Sequence, residues 1–347
     1  MSAQRPNPQR QRGVALIIAL ILVALAAILA TKLSYDGWLE RRRTIGVIAA
    51  EQAFHFAMGA EALAADVLTQ RAQTTPLAQN GPQVSQSPQS GGTQQDTLAQ
   101  PWAQPTQPLP ITPDDDPEGE PIGTLQGALD DMQGRFNLNN LGRTLANGQP
   151  DPVPMEQFQR LLQSLNMETK WAGLLRDWID ADNLPSVPDG AEDSVYTSQT
   201  PPYLTGNWPM TSPSELMALP GFDLAHYLKL APYVTALPTA NAPINLCTAS
   251  ALVIESLAPN LNGEYSGNLD ALAIGRKNGC FPDINTFKAT VGPKNLTQIT
   301  GLYTDSSAYF RLTTQVTLGT SEFTLYSLLL RGNGGKITPL LRTFGTL

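Results

Sequence analysis

The sequence predicts an α+β fold, and three observations carry the prediction. An apolar run at residues 14–30 continues as an amphipathic helical pattern as far as residue 70. Apolar residues then recur with helical spacing in four stretches, 154–180, 214–218, 224–230 and 249–257. Near the C-terminus the apolar period falls to two, over residues 309–318 and 323–330, as in antiparallel strands. The predicted order is long helix, loop, strand, helical insert and terminal strands.

The helix comes first. Residues 14–30 hold seventeen consecutive side chains without a polar group. As a helix they span about 25 Å, within the range that crosses a ~30 Å hydrocarbon core. Residues 1–13 carry three arginines and no acid, which keeps that end cytoplasmic. No proline interrupts the pattern until Pro76. Ile45, Ala49, Ala53, Phe56, Ala60, Leu63 and Val67 recur every three or four residues, so one apolar face is predicted to persist. Two processing readings compete. A secretory signal peptide would be cut after Ala24-Leu25-Ala26. Alternatively the cut falls between Gly13 and Val14, and the apolar helix stays in the mature protein.

Residues 71–121 are rich in Gln, Pro, Ser, Thr and Gly and are predicted to be a flexible loop, too poor in apolar surface to offset ordering entropy. Within it Trp102 is predicted to be anchored, and Asp114-Asp115-Asp116 to be a solvated turn. A strand and turn follow over 122–135. In the next helical stretch Phe158, Leu161, Leu162 and Leu165 lead to Trp171, Leu174, Leu175, Trp178 and Ile179. Gly319-Thr320 joins the first two terminal strands, and the turn at 332–335 leads to a third at 337–341.

Composition excludes several functions. The 347 residues carry a formal net charge of −8, so the chain lacks the excess of lysines and arginines that binding a phosphate-rich partner would need. Two histidines, His55 and His226, and two cysteines, Cys247 and Cys280, supply neither a zinc ribbon nor a histidine relay. The densest polar constellation is 177–193, with Asp177, Asp180, Asp182, Asp189, Glu192 and Asp193. Repulsion among so many carboxylates needs water or a cation to relieve it. Oxygen donors alone suit Ca²⁺, and no EF-hand spacing is present. A solvated acidic loop and a glycosidase-type carboxylate pair are the other readings of these residues.

Arg12-Gly13 directly before a hydrophobic helix resembles the leader of type IV prepilins, which a membrane peptidase cuts after that glycine. Ile18 stands where most prepilins have a glutamate that meets the free amine of the neighbouring subunit on the tip side. A subunit with no neighbour above it has no amine to meet, so the departure suits a tip position. Further in, Asp131-Met132-Gln133-Gly134-Arg135-Phe136-Asn137-Leu138-Asn139-Asn140-Leu141 and Asp177-Trp178-Ile179-Asp180-Ala181-Asp182 occur in that order. Gly190-Ala191-Glu192-Asp193 with Tyr196, Pro201-Pro202-Tyr203, Ser214-Glu215-Leu216 and Ile244-Asn245 with Thr248-Ala249 follow. Together these resemble the general secretion pathway protein K family, the large minor pseudopilin of type II secretion systems.

The resemblance implies a pilin-like fold: one long N-terminal α-helix packed on an antiparallel sheet, with a large inserted α-helical domain. The implied boundaries are a leader at 1–13, the helix at 14–70, a sheet at 122–136 and 301–347, and the insert at 137–300. It implies cleavage after Gly13 to expose Val14 with methylation, single-pass anchoring in the bacterial inner membrane, and a periplasmic body. It implies a non-enzymatic place at the pseudopilus tip, in assembly and export. The partners implied are minor pseudopilins I and J, other pseudopilus and inner-membrane secretion components, and prepilin peptidase. Calcium is implied in the helical domain, and Asp180, Asp182, Asp189, Glu192 and Asp193 match the acidic motif.

One departure matters: Cys247 replaces the second Asn of the family's Ile-Asn-x-Asn-Thr-Ala. In an oxidising periplasm it is expected to pair with Cys280, the alternative being two reduced buried thiols. Leu219-Pro220-Gly221-Phe222 and residues 244–251 also resemble helix-hairpin-helix units, which elsewhere bind DNA. Here residues 140–300 hold nine Lys/Arg against fifteen Asp/Glu, so no nucleic acid is expected and compact helix packing is the better reading. Two rival functions remain at this stage: a minor pilin of a type IV pilus, and a secreted calcium-dependent hydrolase with an ordinary signal peptide.

Overall fold

A single helix, α1 (Arg12–Gln70), opens the chain and runs for 59 residues, about 88 Å at 1.5 Å per residue. The computed structural model describes residues 12–70, 95–113, 116, 118–277 and 279–345. After α1 come the short strand β1 (Leu109–Ile111) and the long strand β2 (Gly123–Asp131). The chain then leaves the sheet through β3 (Phe136–Asn137), α2 (Pro152–Ser164), α3 (Lys170–Ile179), α4 (Asp193–Tyr196), α5 (Leu224–Leu230) and β4 (Val234–Thr235). It continues through β5 (Ile244–Asn245), α6 (Ala251–Glu255), α7 (Leu269–Lys277), α8 (Ile284–Leu296) and β6 (Tyr303–Thr304). It returns as β7 (Tyr309–Leu318), β8 (Ser321–Arg331) and β9 (Ile337–Phe344). The five-stranded sheet has the order β1-β2-β7-β8-β9 and is antiparallel throughout.

The helix meets the sheet along small side chains. Ala53, Ala57, Ala60, Ala64 and Leu68 are buried, spaced by three or four residues, against Phe310, Leu312, Val316, Leu325 and Leu329. The apolar face expected from the sequence is therefore rotated. Ala53 and Ala60 belong to the buried face, while Ile45, Phe56, Leu63 and Val67 stay exposed. Each of Phe56, Leu63 and Val67 follows a buried alanine by three residues, which turns it about 60° aside at 100° per residue. Small residues win the sheet-facing positions because they let the helix axis approach the strands. An ion pair buried only on its carboxylate side fixes the register: Arg342 donates to both Glu61 carboxylate oxygens, at 2.7 and 2.9 Å, and the Ser327 hydroxyl adds a third bond at 2.7 Å.

The sheet is shorter than its sequence boundaries of 122–136 and 301–347. Asp131 ends β2 by accepting a bond from the Gln133 N–H, which turns the chain into a 3-10 segment. Phe136–Asn137 then pairs with Val234–Thr235, and Tyr303–Thr304 with Ile244–Asn245, both in parallel, inside the helical body. The insert thus runs from residue 132 to 308 rather than 137 to 300. The expected loop at 71–121 also needs correction. Residues 71–94, with Asp114 and Asp115, lie outside the described residues, but the chain from Gln95 is fastened down. The Asp96 N–H donates to Asp305 O at 2.8 Å, Trp102 is buried edge-on to Phe310, and β1 pairs with β2.

The insert carries the largest core. Phe136 stacks on Phe158 at 5.2 Å between centroids, and Leu161, Leu162, Leu165, Trp171, Leu175, Trp178 and Ile179 bury around them. The single helical stretch expected at 154–180 is two helices. Asn166 sits between them at φ 48°, a left-handed conformation that ends a helix. Gly221, at φ 80°, makes the corresponding turn before α5 and lets Phe222 pack edge-on against Trp171 at 5.0 Å. Cys247 and Cys280 form a disulfide across 33 residues, tying the turn after β5 to the loop after α7. By loop-closure entropy it is worth about 3.5–4 kcal/mol. Beside it Arg276 donates to the carbonyls of Leu246, Ala249 and Phe281.

Candidate metal centre

The acidic cluster grows out of the end of α3. Trp171, Leu175 and Trp178 pin this helix to the core, so Asp177 is fully buried and Asp180 becomes the C-terminal cap. The two lie three residues apart, on one helix face. The C-terminal end of a helix carries partial negative charge, which favours a cation there and disfavours carboxylates alone. The proline-rich loop then folds back. Ser186 N–H donates to Asp177 Oδ2 at 2.9 Å, and Gly190 N–H donates to Ser186 O at 2.6 Å. A Cβ on Gly190 would collide with the Asp177 carboxylate and the Ser186 backbone, so only glycine lets the loop close. That closure delivers Glu192, buried, as the N-terminal cap of α4.

Asp180, Asp182 and Glu192 each bring a carboxylate oxygen to within 4.8 Å of the others. Asp177 Oδ1, Asp180 Oδ1 and both oxygens of Glu192 are buried with no hydrogen-bond partner among the described residues. Burial pushes the Glu192 carboxyl up to about 7, and repulsion from Asp177, Asp180, Asp182 and Asp193 adds to it. Asp180 rises to about 6 for the same reasons, burial first and then Asp182 and Asp177. Orphaned buried oxygens at this density are costly unless a cation satisfies them. The donor set is oxygen only. His226 is committed to Asp223 at 2.7 Å, and His55 lies beside Glu51 on an exposed face of α1. These residues therefore fit a hard divalent cation.

Not every expected residue takes part. Asp180, Asp182 and Glu192 come together. Asp193 is engaged elsewhere: Thr205 donates to its Oδ1 through both N–H, at 3.0 Å, and hydroxyl, at 2.7 Å, which holds its carboxyl below the usual range. Asp189 is exposed in the loop and outside the cluster. Asp177 is not in the expected ligand set, although its spacing of three from Asp180 places both on one helix face. At the other end of the molecule, Gly13 and Val14 lie in the first turn of α1. The most apolar window of that helix has mean hydropathy 3.1, and none of it is buried.

A sequence model of the family described as type II secretion system (T2SS), protein K, matches residues 134–239, which include the whole acidic loop. The type II secretion system protein K of Pseudomonas aeruginosa is 35% identical over 344 residues, covering 96% of this chain and 93% of that one. The corresponding protein of Pectobacterium carotovorum is 31% identical over 346 residues and covers 97% of each. The fold is similar to a chain in the crystal structure of the GspK-GspI-GspJ complex from the type 2 secretion system of enterotoxigenic Escherichia coli. That match has a TM-score of 0.69 at 25% identity, over 88% of this chain and 100% of that chain. The likeness runs over nearly the full length, and the chain belongs to the type II secretion system protein K family.

Proposed function

We propose that this protein is the minor pseudopilin at the tip of the type II secretion pseudopilus, acting in its assembly and length control and so in export across the outer membrane. The observation that carries the reading is the likeness to a whole chain of the GspK-GspI-GspJ complex, together with an apolar helix that has no cover of its own. Minor pseudopilins I and J are its partners. Residues 14–30 hold the precursor in the inner membrane as a single pass, with the body in the periplasm, and later pack among neighbouring pilin helices. The body is non-enzymatic. Its cation is calcium, held by Asp180, Asp182 and Glu192 with Asp177 behind them, and it cross-links the end of α3 to the loop before α4.

The insert makes this subunit bulky, which obstructs addition of another subunit above it. Deleting the insert while keeping α1 and the sheet should lengthen pseudopili at least several-fold by electron microscopy, with I and J present. Unchanged length would remove capping from the account. The prepilin reading makes a separate prediction. N-terminal sequencing of the mature protein should begin at Val14, and Gly13→Leu should leave the precursor uncleaved. A start near Ala27 would instead mean an ordinary signal peptide and a freely secreted protein.

A further inference from the structure

Between the outer face of the sheet and the helical body lies a cavity of about 360 Å³, which neither the tip role nor the acidic cluster uses. Its floor is a cross-strand row in which Arg311 of β7 opposes Leu328 of β8, and Leu328 opposes Leu341 of β9. Arg135 and Tyr227 of the insert line it from above. The volume falls within the range of small-ligand sites.

The cavity has more cationic hydrogen-bonding capacity than its walls use. Arg311 donates through Nη2 to Asp130 Oδ2 at 2.8 Å, but its Nε is buried without a partner. Arg135 makes no hydrogen bond or ion pair among the described residues. Asp131, the next acid along, is turned the other way, into bonds with Ser307, Thr248 and Asn245. Asp130 is thus the one carboxylate hydrogen-bonded to either guanidinium among the described residues, and Asp131 attracts Arg135 only through space. Burial, and after it the charge of Arg311, lower the Arg135 pKa, and Asp130, Asp131 and Tyr227 only partly offset them. Leaving a partly buried guanidinium unpaired is unfavourable, and a planar two-oxygen anion matches its donor fork.

We propose that this cavity binds a carboxylate carried on an apolar body, with the carboxylate on Arg135 and Arg311 Nε and the body against Leu328, Leu341 and Tyr326. The apolar walls and the planar donor forks favour a carboxylate on an apolar body over a phosphate dianion. A free organic acid and an acidic side chain beside an apolar residue of a neighbouring protein present the same chemistry.

The test is calorimetric titration of the full chain in detergent with benzoate, benzamide and inorganic phosphate. Benzoate should bind saturably with a Kd of roughly 1 mM, and benzamide and phosphate at least about tenfold more weakly. Arg135→Gln should lose at least about tenfold in benzoate affinity while keeping its unfolding midpoint. Thr343→Trp, which fills the cavity from β9 and leaves both arginines in place, should abolish binding. Benzamide matching benzoate, Arg135→Gln binding like the parent, or no benzoate binding overturns the proposal. A photo-cross-linker at Leu341 in cells then separates the sources. A benzoate-competed cross-link to a protein supports the side-chain source, and benzoate binding without one supports the free acid.

Discussion

Calcium is expected to raise the Tm of the parent protein, and replacing Asp180 by Asn together with Glu192 by Gln to erase that rise. A ligand that binds only the folded state stabilises it by RT ln(1 + [L]/Kd), about 2.7 kcal/mol at one hundred times Kd. For a body of this size that is a rise of roughly 5–10 °C. The double variant should rise by less than about 1 °C at the same calcium concentration. Without calcium its Tm should equal or exceed that of the parent, because the substitutions remove repulsion among carboxylates whose oxygens are otherwise unpaired. This second sign is the diagnostic one. A purely structural acidic loop would lose stability on the same substitutions, with or without calcium. Differential scanning calorimetry with and without chelator reads both.

The same carboxylates set a pH dependence. Folding raises Glu192 to about 7 and Asp180 to about 6, above the ordinary carboxylate range, so the calcium-free folded state holds more protons than the unfolded chain between about pH 4 and 7. Their contribution to stability without calcium is therefore greatest at acid pH and is lost as pH rises to 7. Calcium has to displace those protons. Its affinity should climb from pH 5.5 to about 7.5 and then level off, with proton release visible as buffer-dependent heat in calorimetry. An affinity flat across that range would count against these two residues as ligands.

The second large effect is expected at Asp131. This carboxylate is wholly enclosed and accepts from the Ser307 hydroxyl at 2.6 Å, the Thr248 hydroxyl at 2.6 Å, Asn245 Nδ2 at 2.9 Å and the Gln133 N–H at 2.8 Å. Burial pushes its carboxyl up, and the Ser307, Thr248 and Gln133 bonds only partly offset that. Asp96 lies alongside, accepting from Ser307 N–H at 2.7 Å and pairing with Arg331. This seam joins the end of β2, the start of β7, the turn after β5 and the segment that begins at Gln95. Asp131→Ala orphans several buried donors at once and should cost about 3–5 kcal/mol in urea denaturation. The loss should come with faster proteolysis near residues 95–111. A cost below about 1 kcal/mol would mean that the seam is held elsewhere.

The elements legible in the sequence were those whose apolar period repeats over several turns or residues. α1, α2, α3 and the three terminal strands fall into that group, since Phe158, Leu161, Leu162 and Leu165 or alternation along β7 leave a mark that needs no tertiary information. The elements missed lack such a mark. α7 buries only Leu272, and α8 is interrupted by Gly292, at φ 74°, and Pro293, so neither shows a sustained stripe. The four two-residue strands β3 to β6 exist only because distant chain segments meet, and no local pattern announces them. The buried face of α1 departs from its apolar stripe because size, rather than hydrophobicity, decides which side approaches the sheet. At the acidic loop the sequence supplied the residue types, but burial chose among them, drawing in Asp177 and Glu192 and leaving Asp189 in solvent.

β2 and β7 are direct neighbours in the sheet, with Asp131 opposite Phe310. The helical body therefore enters and leaves through two adjacent strand ends, where Met132, Leu237 and Ala242 pack against Tyr309 and Leu328. Lengthening an insert attached this way adds little to the cost of strand pairing, since the entropy of closing such a loop grows only with the logarithm of its length. The two strands can keep their register while the length of chain inserted between them changes.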